Sequence, residues 1–258
     1  GINDLFGNRN TPAIQNLAWY NSFMWDGGIL DLDLQPIAPI TNPVEMGDTL
    51  LAVLKKLNAH PEYPALFKKA FGSNTITTSL LMKALSQFML MLVSADSKYD
   101  KVIRKEGMVF TPEEQNGYTV FKEKCGSCHK EPLFTDFSFR NNGLSPADEP
   151  DEGRSLVTVE SKDQFRFKVP SLRNLGFTFP YMHDGRFYTL DEVLDHYSSG
   201  MHESSTLDPL FRLSDNKNGI ILSAAEKESI KIFLATLDDS SFIRNPAFSE
   251  ENAMKYVK

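Results

Sequence analysis

Cys125-Gly-Ser-Cys128-His129 carries the only two cysteines of the chain, and it constrains the fold more than any other stretch. Two thiols three positions apart can add to the two vinyl groups of one haem, and the adjacent imidazole then reaches the iron. Rival readings are weaker. A structural zinc site needs about four ligands, and the sequence has no second cysteine pair to supply them. A thioredoxin-like pair expects a βαβ context, which the pattern lacks, and needs no following histidine. A disulfide here would close too small a loop to stabilise much. The motif therefore implies one covalent haem c, with His129 as the proximal iron ligand.

Covalent haem c implies an extracytoplasmic compartment, in bacteria the periplasm. No cysteine is left for a structural disulfide, so the fold must rest on its core. A chain of 258 residues with 41% hydrophobic content can bury one large core or two smaller ones. A net charge of -7 argues against nucleic acid and anionic membrane surfaces. It suits a basic electron-donor protein. No run of 18 apolar residues occurs, so no membrane span is expected. Gly1-Ile2-Asn3-Asp4 does not resemble a signal peptide, which implies a removed leader or a late start.

The pattern reads as helix and loop throughout, without internal repeats. The first 46 residues, with Pro12, Pro36, Pro39 and Pro43, read as irregular. A loop this long is expected to build a site. Asp48 precedes a first helical run, Leu50 to Leu57. Tyr63 to Phe71 reads as a second helix. Thr77 or Thr78 opens a third, with Leu81, Leu85, Phe88 and Leu92 as its apolar stripe and Met82, Met89 and Met91 as core filler. Ser94 to Lys105 is polar and reads as a domain boundary. Capping boxes then predict helix starts at Thr111, Thr189 and Ser223, with Glu114, Glu192 and Glu226 as their reciprocal partners. The first of these helices turns Tyr118, Phe121 and Cys125 to one face. The second turns Leu190, Val193, Leu194 and Tyr197, and the third Ile230, Phe233, Leu234 and Leu237. A helix before the haem motif and a long one near the C-terminus is the layout of a class I cytochrome c fold.

Four further motifs accompany the haem motif: Phe23-Met24-Trp25-Asp26-Gly27, Pro39 to Gly47, Val169-Pro170-Ser171-Leu172-Arg173-Asn174 and Pro180-Tyr181-Met182-His183-Asp184-Gly185. Together they resemble the bacterial di-haem cytochrome c peroxidase and MauG family, from about Asn8 to about Leu237. The resemblance implies two haem c domains, an N-terminal one that reacts with peroxide and a C-terminal one that passes electrons. The attachment motif matches the C-terminal domain, so the chain is expected to lack the attachment peptide of the N-terminal haem.

The resemblance also implies roles. Glu45 matches the peroxidatic glutamate, a general acid-base group, and Gln35 the polar residue that orients peroxide. Trp25 matches the tryptophan that relays electrons between the haems. The family's second ligand to the C-terminal haem falls on Tyr197, where cytochrome c peroxidases usually carry methionine and MauG carries tyrosine. Met182 is the second candidate and Met201 the third. Thioether sulfur favours ferrous iron; phenolate favours ferric and higher states. Asn10, Thr178 and Pro180 match a calcium site between the domains, the last two through backbone carbonyls. Gly28 stands where the family usually has arginine. His60, His183, His196 and His202 are read as surface or packing residues, with His183 the one placed to hydrogen-bond near a haem.

The expected fold is mainly α, with class I cytochrome c-like domains whose helices and long loops pack around haem c. Residues 1–100 would be the remainder of the peroxidatic domain and 101–258 the electron-transfer domain. The implied activity is reduction of hydrogen peroxide with electrons from a small donor protein, a cytochrome c or cupredoxin, in a chain that could form a homodimer. Two alternatives stand beside it: a MauG-like haem oxidase of a protein substrate, and a mono-haem electron-transfer cytochrome c. Counting haems per chain separates the electron carrier from the enzymes.

Overall fold

The computed structural model describes residues 1–147, 150–213 and 217–249. Its helices are α1 (Ile37–Thr41), α2 (Leu50–Ala59), α3 (Tyr63–Phe71), α4 (Thr78–Met91), α5 (Lys98–Ile103), α6 (Pro112–Lys124), α7 (Ser155–Thr158), α8 (Leu190–Asp195), α9 (Ala224–Ala235) and α10 (Ser240–Ile243). A short antiparallel ladder joins β1 (Phe139–Arg140) to β2 (Phe167–Lys168), so the chain is not purely helix and loop. The fold is mainly helical, as expected. Among the described residues no helix is long and apolar enough to cross a membrane.

The three anticipated capping boxes all form, at Thr111, Thr189 and Ser223. Each gives two orphan N–H groups an acceptor and so fixes where α6, α8 and α9 begin. Helices α6 and α9 then cross closely. A Cβ added to Gly117 would lie 2.0 Å from the Ser229 carbonyl oxygen, so only glycine permits this approach. Around the crossing, Phe121, Phe134, Ile230, Phe233 and Leu237 are all at most 1% exposed. Burying each is worth about 1.5–3 kcal/mol. Cys125, at the end of α6, packs against this cluster.

Several expectations are corrected. Ser94 to Lys105 is polar in sequence but not solvated throughout. It holds α5, opened by a fourth capping box between Ser97 and Asp100, with Tyr99 and Asp100 buried. Thr49, not Asp48, accepts the first-turn N–H of α2. Met82 and Met89 are core residues, but Met91 is 63% exposed. Phe88 is also largely exposed and meets Phe248 edge to face.

The last correction concerns repeats. Residues 12–29 and 170–187 are two copies of one turn. Pro, Asn, Leu, Met, Asp and Gly recur in step: Pro12/Pro170, Asn16/Asn174, Leu17/Leu175, Met24/Met182, Asp26/Asp184 and Gly27/Gly185. The backbone repeats with them. Asn16 and Asn174 have φ of 60° and 62°, Met24 and Met182 of 66° and 72°, and Gly27 and Gly185 of 70° and 72°. Each copy closes with the same bond, Phe23 N–H to the Ile29 carbonyl at 2.7 Å and Tyr181 N–H to the Phe187 carbonyl at 2.6 Å.

Candidate functional site

Cys125 ends α6, and its carbonyl accepts the N–H of Cys128 at 3.2 Å and of His129 at 3.0 Å. Both thiols are free and half-buried. Nδ1 of His129 donates to the Phe134 carbonyl at 2.9 Å. That bond fixes the tautomer and leaves Nε2 with the lone pair an iron ligand needs. Burial holds the imidazole below its usual range, against the pull of the Phe134 and Pro170 carbonyls. It therefore stays neutral and able to ligate.

The Val169–Asn174 motif ties this loop down. Ser171 Oγ donates to the Leu133 carbonyl at 2.6 Å, and Arg173 Nε to the Pro132 carbonyl at 2.9 Å. The same Arg173 makes a bidentate pair with Asp100 on α5, at 2.8 and 2.7 Å. Both side chains are almost fully buried. Helix α5 thus braces the loop that carries His129.

Tyr197 and Met182 come together. Nδ2 of Asn142 lies 3.4 Å from the Tyr197 hydroxyl and 3.6 Å from the Met182 sulfur. Burial pushes the Tyr197 phenol up to about 12, with the Asn142 amide pulling the other way and both cysteines close enough to add to the rise. Tyr197 lies on a π-helical turn, His196–Gly200, that continues α8. Such wide turns often mark functional sites. Met201 is buried against Leu207 and Phe211 and is a packing residue. His129, two free thiols, a phenol and a thioether fit one haem c.

Trp25 and Gln35 line one cavity with Met24, Tyr20 and Pro170. The indole N–H of Trp25 donates to the Asn10 carbonyl at 2.8 Å, and its own carbonyl accepts from Lys168 N–H at 2.8 Å. Lys168 is buried, its ammonium bonded to the Ser22 carbonyl, and burial lowers it to about 8. Gln35 Nε2 is 3.9 Å from the Met24 sulfur. An amide beside the turn methionine is therefore common to both copies. Glu45 is not among the residues lining this cavity; its carboxylate accepts from Asn42 Nδ2 at 2.7 Å.

Asn10 meets Pro180, its Nδ2 donating to the Pro180 carbonyl at 2.6 Å, and its N–H bonds the His183 carbonyl at 2.7 Å. Thr178 ends a short turn just before. Among the described residues no cluster of three His, Cys, Asp or Glu could hold a metal. His60 and His202 are exposed. His183 stacks on Phe167 with centroids 3.6 Å apart, and burial lowers it to about 4. His196 is buried and bonds the Asn142 carbonyl at 2.9 Å. Sequence reasoning missed Asn142, which carries no motif.

Helices packed on a C-x-x-C-H loop, with a phenol and a thioether drawn to the same place, define a cytochrome c-like haem protein. The family model of the di-haem cytochrome c peroxidases matches residues 1–108. MauG, the methylamine utilization protein of Methylorubrum extorquens, is 34% identical over 232 residues, 89% of this chain and 64% of that protein. MauG of Methylophilus methylotrophus is 32% identical over 247 residues, 94% of this chain and 72% of the relative. A crystal structure of a MauG-like protein associated with microbial copper homeostasis superposes with a TM-score of 0.82 at 30% identity. It covers 95% of this chain, which spans 79% of it. The chain belongs to the di-haem cytochrome c peroxidase and MauG family, a family of haem c proteins. It spans just under two thirds of the Methylorubrum relative's length.

Proposed function

We propose that the chain serves a periplasmic haem c oxidoreductase that reduces hydrogen peroxide, with electrons relayed through a haem on Cys125, Cys128 and His129. Bound haem c would supply the redox centres, one on this motif and a second, peroxide-reactive one beside the cavity of Trp25 and Gln35. The observation that carries the reading is the seat of Trp25. It lines that cavity with Gln35, donates to Asn10, and accepts from Lys168 on the strand leading into the Pro170–Arg173 brace of the His129 loop. Trp25 so placed lies between its own turn and the strand that leads into the second copy. Residues 1–100 and 101–258 would form the peroxidatic and electron-transfer domains.

Glu45 would take a proton from peroxide and return it to the departing oxygen. Asn42 aims its carboxylate. Gln35 would orient the peroxide. A net charge of -7 favours a basic donor protein, a cytochrome c or cupredoxin. Calcium would be held by Asn10, Thr178 and Pro180, with the Asn10 amide turned to offer oxygen.

The test is Glu45→Gln in the haem-loaded protein. Peroxide turnover should fall by about 10² to 10⁴ with little change in haem spectra. Near wild-type turnover would return Glu45 to a solvated carboxylate. A second reading, MauG-like oxidation of a protein substrate, is favoured by one observation. Tyr197, the phenol on which the resemblance puts the distal group, lies with the Met182 thioether beside the Asn142 amide.

A further inference from the structure

The register of the duplicated turn extends two residues upstream of its first proline, to Asn10 and Lys168. These two residues make the same pair of bonds, each to the other copy. The Lys168 N–H donates to the Trp25 carbonyl at 2.8 Å, and its ammonium donates to the Ser22 carbonyl. The Asn10 N–H donates to the His183 carbonyl at 2.7 Å, and its Nδ2 to the Pro180 carbonyl at 2.6 Å. Ser22 and Pro180 are equivalent in the repeat, as are Trp25 and His183. Each copy is thus clamped at the same two carbonyls by one residue of the other. Trp25 touches both clamps, since its indole N–H reaches the Asn10 carbonyl at 2.8 Å.

The clamps differ in charge. Asn10 brings a neutral amide to the Pro180 carbonyl, with the Met182 carbonyl 3.5 Å from the same nitrogen. Two main-chain oxygens converging on an amide give the hard-oxygen donor set that suits calcium, with water completing the shell. Lys168 brings a positive charge of its own. It is 6% exposed, and its ammonium rests on a carbonyl rather than a carboxylate. The Tyr20 and Phe139 rings lie 5.6 and 5.8 Å from its nitrogen. Burial brings it down only to about 8, with Asp26 favouring the charge and Arg154 opposing it, so it stays an ammonium at neutral pH.

We propose that Lys168 is a built-in cation, the first copy's counterpart of the calcium that Asn10 would hold in the second. The proposal rests on the reading of Asn10 and Pro180 as calcium ligands. An ammonium and a bound divalent ion both draw carbonyl oxygens toward positive charge, but only the ion can be removed by a chelator. The first turn, which carries Trp25, therefore keeps its cation under all conditions, and the second turn depends on supply. The repeat puts Tyr20 and Ser22 where the second copy has Thr178 and Pro180. An asparagine at position 168 would face the matching carbonyls.

The experiment titrates the haem-bearing protein and its Lys168→Asn and Lys168→Met variants with calcium chloride in a calorimeter. Lys168→Asn should bind one calcium more per chain than wild type, and Lys168→Met no more than wild type. A wild type that binds one calcium, with no gain in Lys168→Asn, overturns the proposal alone. A wild type that binds none overturns the calcium reading and the proposal with it. Asn10→Lys makes the converse exchange and decides the matter if Lys168→Asn does not fold. At a hundredfold excess of calcium over Kd, chelator should lower the wild-type thermal midpoint by about 5–10 °C. Asn10→Lys should bind no calcium, ignore the chelator and unfold near the calcium-loaded wild type. A midpoint as low as that of chelator-treated wild type overturns the proposal.

Discussion

Asn16 and Asn174 reach the same buried residue, Ser94. Asn16 accepts the Ser94 N–H at 2.9 Å and donates to its carbonyl at 3.0 Å; Asn174 donates to its hydroxyl at 3.0 Å. Ser94 follows α4 as Asp239 follows α9, and Asp239 N–H donates to Asn174 Oδ1 at 2.7 Å. The two copies of the turn are thus interlocked through one polar cluster whose four members are each at most 2% exposed. Asn174→Ala would strip partners from Ser94 and Asp239. Each buried group left unsatisfied costs about 1–3 kcal/mol. A fall in the denaturant midpoint on that scale is expected, and an unchanged midpoint would show that the cluster is not a structural tie.

Haem attachment is the most direct test of the Cys125-His129 loop. Changing both cysteines to alanine should abolish the haem-stained band on a denaturing gel, because no other thiol exists in the chain. A band that survives removes the assignment.

The ligand pair can be separated by two conservative changes. Tyr197→Phe should alter the oxidised spectrum and raise the midpoint potential, since it removes a ligand that stabilises ferric iron. Met182→Leu should leave both nearly unchanged. The reverse pattern would make Met182 the ligand and remove the main support for MauG-like protein oxidation.

The Asp100–Arg173 pair should govern acid stability. Its bonds to Arg173 and Ser97 hold the Asp100 carboxyl below the usual range, overcoming the opposing effect of burial. A carboxyl lowered on folding contributes stability that is fully present above its unfolded value, about 3.9, and is lost as pH falls through the lower folded value. Stability should therefore decline below about pH 4, and Asp100→Asn should flatten that decline. At neutral pH, removing one partner of a buried pair costs about 3–5 kcal/mol. Equilibrium unfolding of Asp100→Asn at several pH values measures both effects. A slope equal to that of wild type would count against the pair.

The haem motif and the helix starts were legible because their signals are local. Thr111 with Glu114, Thr189 with Glu192 and Ser223 with Glu226 each satisfy their own orphan donors within four residues. The Ser97–Asp100 box is equally local, yet α5 carries no apolar stripe; its Tyr99 is buried by Phe134 and Phe233 and its Asp100 by Arg173, all far along the chain. The duplicated turn is hard to read from sequence because its aromatic positions vary, Trp25 against His183 and Phe23 against Tyr181, and its recurring identities are scattered among unlike residues. Asn142 was illegible for a similar reason. Its importance comes from tertiary bonds to Ser204, Thr206 and His202 made by its neighbours, and an asparagine in a loop announces none of them.

The wide turn at His196–Gly200 bears on how such a site can change. A π-turn holds one residue more than an α-turn. Deleting a single residue there would restore ordinary pitch and rotate the side chains that follow by ~100° about the helix axis. α8 before the turn, and its capping box at Thr189, would stay as they are. The group presented to the Asn142 amide is therefore one codon away from replacement, in a frame that need not otherwise be rebuilt. Chemistry at this position is inherited as a matter of helical phase as much as of residue identity.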